Sequence, residues 1–180
     1  IGQDTTAYGS DLGMKNGLAK LLQRLVRLEG LRRIRFLYAY PHTIDWEVLE
    51  LMAAEPKICS YLDLPLQHVS RRILKDMKRG GTRHSLEKLI RRIRNTVPDI
   101  SLRTAMIVGY PGETEEEFAE LLDFCSEMRF DHLGVFCYSE EEGTVAAAGR
   151  LPRIPPRTAE NRRRRLMRRQ EQISRRINRR

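Results

Sequence analysis

Apolar positions along this chain follow helical and strand periods in alternation. From about Asn16 to Glu29, Leu18, Leu21, Leu22, Leu25 and Leu28 share one helical face, and Gly30 ends the run. Ile34 to Tyr40 is a short apolar strand stopped by Pro41. Asp45 can cap a helix carrying Val48, Leu49 and Met52, which Pro56 closes. Ile58 to Leu66 is the next strand. Ser70 caps a short helix ended by Gly80-Gly81, and Thr82 starts a longer one with Leu86, Leu89, Ile90, Ile93 and Val97 at helical spacing. Leu102 to Val108 is a strand, and Thr114 with Glu117 forms a capping box for a helix through Met128. Leu133 to Tyr138 is the last strand, Gly143 to Pro156 a loop, and Thr158 to Arg180 a closing helix.

With the strand end expected at Ile1 to Thr5, this makes five strands in βα order, joined by right-handed crossovers. The fold class expected is α/β, part of a (βα) barrel. Tyr61 to Arg83 and Ser101 to Phe118 share one layout: an apolar run, a polar residue at its end, a turn and a capped helix. In parallel βα folds the carboxyl ends of the strands form the reactive face. Gln67 and the loop Gly109-Tyr110-Pro111-Gly112-Glu113 are therefore expected on one rim, which is an enzyme's scaffold.

Composition narrows the class. The 180 residues, 41% hydrophobic and 32% charged, suffice for one domain with a core. No apolar run approaches the roughly 18 residues of a membrane span, and no signal peptide is evident, so no membrane partner is expected. The chain opens at Ile1-Gly2-Gln3 without a methionine and reads as a piece of something longer. Cys59, Cys125 and Cys137 match no metal-binding spacing and read as free thiols of a reducing cytoplasm. The net charge of +9 is uneven: residues 1–149 hold 20 Lys/Arg against 22 Asp/Glu, residues 150–180 hold 13 Arg against Glu160 and Glu171. The organisation expected is a core over 1–149 and, over 150–180, a Pro-containing linker with an Arg-rich exit helix. Such a helix suits an acidic or nucleic-acid partner. Its apolar stripe, Leu166, Ile173 and Ile177, is narrow, so it is expected to pack loosely outside the barrel.

At YLDLPLQHVSRRILKDMKRGG, SLRTAMIVGYPGET and FCYSEEEGT the chain resembles the radical S-adenosylmethionine (SAM) methylthiotransferases. GQDTTAYG and RIRFLYAYP fit as well, so the resemblance covers nearly the whole chain. Asp63 to His68, Arg79-Gly80-Gly81, Leu102-Arg103-Thr104 and Glu140 to Thr144 favour the branch that modifies an aspartate of a small-subunit ribosomal protein over its tRNA-modifying sister. The resemblance implies a partial, TIM-like barrel of the radical SAM type, SAM as cofactor, and iron–sulfur (4Fe-4S) clusters in the full-length enzyme. The family's Cys-x-x-x-Cys-x-x-Cys loop is not in these residues, and Cys59, Cys125 and Cys137 cannot replace it. By the same comparison the first βα unit, an amino-terminal domain and a carboxy-terminal β-domain lie outside this chain. Catalysis by these 180 residues alone is not expected.

The resemblance also points to residues that hold the cofactor. Gln67 ends a strand with an amide that both donates and accepts, suited to the ribose or amino-acid part of SAM, or else to capping the helix at Ser70. Arg103 can meet the SAM carboxylate, or pair with Asp63 or Glu113. Gln3 and Asp4 follow the first strand, where the methionyl ammonium binds, though Asp4 can equally cap the Thr5-Thr6 turn. Phe136 and Tyr138 end the last strand, which reads the adenine, and share a face that could instead pack the barrel. His68 reads as structural. Competing readings are an Arg-rich module docking on ribosomal RNA without catalysis, and an aldolase-like barrel, for which no lysine ends a strand.

Overall fold

The computed structural model describes residues 4–149 and 151–179. The helices are α1 (Gly17–Leu25), α2 (Trp46–Ala54), α3 (Arg71–Asp76), α4 (Arg83–Thr96), α5 (Glu115–Met128), α6 (Val145–Ala148) and α7 (Pro156–Ile177). The strands are β1 (Tyr61–Asp63), β2 (Ser101–Val108) and β3 (His132–Cys137), in one sheet of order β1-β2-β3. β1 runs parallel to β2, with Tyr61 opposite Ser101, Leu62 opposite Leu102 and Asp63 opposite Arg103. The chain divides into two compact units, Ile1–Pro65 with Leu89–Arg103, and Leu66–Lys88 with Thr104–Arg180.

Among the described residues there are three strands rather than five, and each difference has a cause. Ile34 to Tyr40 makes one bridge, Ile34 with Ile58. Tyr38 then turns to φ 60°, the left-handed region, and interrupts the ladder before Ala39 N–H bonds the Asp63 carbonyl. The segment from Ile58 to Leu66 keeps only three strand residues because Pro65 has no N–H to donate. The strand end expected at Ile1 to Thr5 lies partly outside the described residues, and Thr5–Ala7 is a 3-10 turn. Helix α1 stops four residues short of Glu29. Tight turns follow Leu25, and the Lys57 ammonium donates to the carbonyls of Val26 (2.8 Å) and Leu28 (3.0 Å), satisfying acceptors the helix end leaves open.

In the first unit Leu18, Leu22, Leu49, Met52, Leu62, Ile90 and Ile93 form the core. The Arg92 guanidinium lies 3.4 Å over the Trp46 ring. In the second unit Met106 and Val108 of β2, Phe118, Leu121 and Phe124 of α5, Leu133 and Val135 of β3, and Leu166 of α7 are all buried. α5 starts at the expected capping box of Thr114 and Glu117.

The closing helix packs more closely than its narrow apolar stripe predicts. α7 packs on β3 and α5, burying Ala159, Arg162, Leu166, Gln170 and Ile173. These five recur at intervals of three and four, one continuous helical face. Two of the five are polar, which is why an apolar stripe alone looked too narrow. Gln170 donates to the Phe130 carbonyl at 2.7 Å.

Candidate functional site

In the second unit the chain leaves the β1 segment and builds a cavity of about 410 Å³, a size that suits a small organic ligand. Its first wall is Gln67. After the gap at Pro65, the Leu66 N–H turns to the Thr104 hydroxyl (3.3 Å). Gln67 then rejoins the backbone ladder, donating to Ala105 O and accepting from Ile107 N–H at 2.9 and 2.7 Å. It does so at φ 74°, a left-handed conformation uncommon for residues other than glycine, with these two bonds holding the backbone.

The second wall is the end of α3. The Arg79 N–H bonds the Leu74 carbonyl (2.7 Å) and the Lys78 N–H bonds Lys75 (3.0 Å), the hydrogen-bond pair of a Schellman cap. Lys78 occupies the left-handed position, φ 54°, that glycine usually fills. The helix therefore closes before Gly80-Gly81, and Asp76, Met77, Lys78 and Arg79 line the cavity.

The remaining wall is Ile107, Tyr110 and Tyr138, with Ser139, Glu141, Gly143 and Thr144 at the rim. The Tyr138 N–H extends the sheet by bonding Val108 O (2.8 Å). The rings of Tyr110 and Tyr138 meet edge to face, centroids 5.3 Å apart. Burial, with Asp76 and Tyr138 nearby, pushes the Tyr110 hydroxyl above its ordinary value. The Tyr138 hydroxyl oxygen is buried and has no hydrogen-bond partner among the described residues. An unpaired buried hydroxyl on a cavity wall fits a ligand with polar atoms.

The turn bearing Tyr110 is held from behind by a buried ionic cluster. Glu113 accepts from the Gly109 N–H and from Arg162 of α7 (2.8 Å). It faces His68 Nε2 at 3.3 Å, and the Ser70 N–H aimed at His68 Nδ1 assigns the ring proton to Nε2. Arg162 also donates to the Glu113 carbonyl. Gly109 is required twice: its φ is 76°, and a Cβ there would lie 2.5 Å from the Cβ of Ala159. The close approach at this turn is thus helix α7. Beside it, Arg72 donates to Glu117 and to the Gly112 carbonyl, and Ser70 donates to Glu117. Burial opposes ionisation of Glu117, but Arg72, the Thr114 N–H and the Ser70 hydroxyl outweigh it and hold the carboxyl at about 2.

The structure brings Gln67 and Tyr138 to this one cavity. Phe136, one strand residue earlier on the same face, is 56% exposed. Arg103 belongs to the first unit, where it donates to the buried carboxylate of Asp63 at 2.7 Å. That contact holds its guanidinium above its ordinary value. Asp4, also in the first unit, accepts from the Thr6 N–H (2.9 Å) and caps the turn. Gln3 lies outside the described residues. Lys78, Arg79 and Asp76 escaped sequence reasoning as cavity residues. The one available signal was the run Met77-Lys78-Arg79-Gly80-Gly81, read as a helix end and as a family motif but not as part of a site.

A model of the radical SAM superfamily matches residues 2–125. The chain belongs to the radical SAM superfamily. It is 52% identical, over 97% of its length, to the ribosomal protein uS12 methylthiotransferase RimO of Koribacter versatilis, and 48% identical over 99% to that of Trichlorobacter lovleyi. It spans 34% and 40% of those two proteins. Among solved structures it resembles coproporphyrinogen III oxidase (HemN) of Escherichia coli, a radical SAM enzyme, with TM-score 0.59 and 22% identity over 84% of this chain and 34% of that one. It also resembles the radical SAM methyltransferase TsrM of Kitasatospora setae, with TM-score 0.60 and 21% identity over 76% of this chain and 28% of that one. These likenesses agree on the α/β, partial-barrel fold of the superfamily.

The cysteines do not fit the cluster that the family implies. Cys125 is fully buried and its thiol is pushed up by burial, the opposite of a thiolate ligand. The Cys137 thiol is also raised, by desolvation and by Glu160. No group of three His, Cys, Asp or Glu among the described residues could hold a metal ion. The cavity does fit SAM. It offers an amide at Gln67, an unpaired hydroxyl at Tyr138, and an aromatic pair that an adenine could contact. No helix among the described residues is long and apolar enough to cross a membrane.

Proposed function

We propose that this chain is the SAM-holding part of a methylthiotransferase that modifies ribosomal protein uS12. The observation that carries the reading is identity of 47–52% to uS12 methylthiotransferases over 97% or more of the chain in several relatives, against 21–22% to radical SAM enzymes of other activities. The resemblance names an aspartate of a small-subunit ribosomal protein as the target, and the free thiols suit a reducing cytoplasm.

Within that reading Gln67 and Tyr138 hold SAM: the amide meets its ribose or amino-acid part, and the ring covers the adenine. Tyr110, set by the Glu113 cluster, shapes the same wall and keeps water from it. Gln3, Asp4, Arg103 and Phe136 are proposed as further SAM contacts on the strength of the resemblance. For Arg103 this means exchanging or sharing Asp63 for the SAM carboxylate, a bidentate acceptor of matching geometry. When bound, SAM supplies the sulfonium on which the family's chemistry depends.

Two measurements test the reading. A strain lacking its own uS12 methylthiotransferase, complemented with the complete coding region that contains this sequence, should regain a methylthio group on uS12 by mass spectrometry. Unmodified uS12 with the protein present and folded would overturn the assignment. For the cofactor, calorimetric titration of the complete protein with S-adenosylhomocysteine should show Tyr138→Phe weakening binding roughly threefold to tenfold, the worth of one hydrogen bond. Unchanged affinity would remove the Tyr138 hydroxyl from the site.

A further inference from the structure

Helix α7 has a second face that the transferase reading does not use. Taken at 100° per residue, Arg157, Arg164, Arg168 and Arg175 lie within roughly 40° of arc, opposite the buried face of Ala159, Leu166 and Ile173. All four are exposed, and the row runs for roughly 27 Å along a straight helix at about 1.5 Å per residue. Arg164 and Arg175 touch Glu160 and Glu171, but their side chains remain 66% and 70% exposed. Surface pairs of that kind contribute little and exchange readily for another anion.

We propose that this arginine row docks on the phosphate backbone of structured RNA. A row of guanidinium groups at repeated spacing matches a repeating line of phosphates, which Arg binds in bidentate fashion. The alternatives fit the face less well. A protein partner's interface core sets its arginines among aromatic residues, and no aromatic residue follows Gly149. A membrane-surface helix would present apolar residues beside its charges, whereas Leu166 and Ile173 are buried against the rest of the unit. Without aromatics there is no base stacking, so recognition is of backbone and shape, independent of sequence. For an enzyme acting on a ribosomal protein, such a row would grip the RNA around its target.

The test is fluorescence anisotropy of a labelled RNA hairpin with the purified 180-residue chain, across 50 to 200 mM salt. Four phosphate contacts predict an affinity loss of about 150-fold over that range, from a slope of roughly −0.9 per contact. The triple variant Arg164→Gln, Arg168→Gln, Arg175→Gln should bind far more weakly at low salt and lose only about fourfold over the same range. Neutralising the exposed Arg27, Arg32 and Arg33 of the first unit removes the same charge and should leave binding within about twofold of the parent. Equal losses in both triple variants would overturn the proposal. So would displacement of the RNA by polyglutamate at matched charge, which would mark an acidic protein surface instead. Neither SAM nor uS12 is in the measurement, so its failure leaves the transferase reading intact.

Discussion

Arg162 and Arg164 stand two residues apart on α7 under opposite conditions. Arg162 is 5% exposed and spends its guanidinium on Glu113, a carboxylate buried beside His68. Arg164 meets Glu160 at 2.8 Å with its own side chain 66% exposed. The residue type is the same and the run is unbroken from Arg162 to Arg165, so composition cannot tell them apart. Helical phase decides: one position falls on the face that meets β3 and α5, the other far around the helix from it. The inner arginine fixes the turn that carries Tyr110. The outer one leaves the fold untouched and is free to meet a partner.

The largest effect should come from breaking the inner pair. Arg162→Met leaves Glu113 buried without its cation, a change that costs about 3–5 kcal/mol for pairs of this kind. Adding Glu113→Gln removes the stranded charge and should recover a good part of the loss. Urea denaturation of both variants reads this. If the single variant unfolds outright, the double variant still decides the matter: no recovery would mean that Arg162 acts through packing on Phe118, 5.5 Å from its guanidinium, and not through charge.

Four residues after Glu113, Glu117 gives the intermediate case. It also meets an arginine, but its side chain is 16% exposed rather than buried. Its folded value of about 2 lies below the ordinary 4.5. Its contribution to stability is therefore complete above about pH 4.5 and is lost as pH falls through 2, up to about 3 kcal/mol. Glu117→Gln should flatten the stability profile below pH 4.5 and lower the plateau above it. A profile of unchanged slope would show that Arg72, Ser70 and Thr114 do not hold this carboxylate.

Much of this was legible in the chain. The capping box at Thr114 and Glu117 needs only local chemistry, and it formed where the pattern placed it. Helices α2 and α5 kept their expected starts for the same reason. What escaped depends on long-range partners or on backbone angles that no residue type announces. Tyr38, Gln67 and Lys78 all take positive φ without being glycine; Tyr38 interrupts a strand and Lys78 closes a helix early. The cluster of His68, Glu113 and Arg162 joins residues up to 94 positions apart in number, and nothing local marks Arg162 among its neighbours. Gln67 and Tyr138 were nameable from their motifs, whereas Lys78 and Arg79 reach the cavity only through the unexpected early cap of α3.

The smallest effect should come from the outer face, and its smallness is informative. Arg168 has no acidic neighbour within ion-pair distance among the described residues, and the pair of Arg175 with Glu171 is exposed on both sides. Such positions contribute within about 0.5 kcal/mol to stability. Arg164→Gln, Arg168→Gln and Arg175→Gln together should thus melt within a few degrees of the parent. Nine arginines against two glutamates on α7 also repel one another, so removing three could even raise the midpoint slightly at low salt. Thermal scans at 20 and 300 mM salt separate these terms, because added salt screens the repulsion and should bring the two proteins together. A melting point many degrees lower at both salts would place the outer arginines in the fold. The contrast between Arg162 and Arg164 would then be one of degree, and the row would no longer be free to grip an RNA backbone.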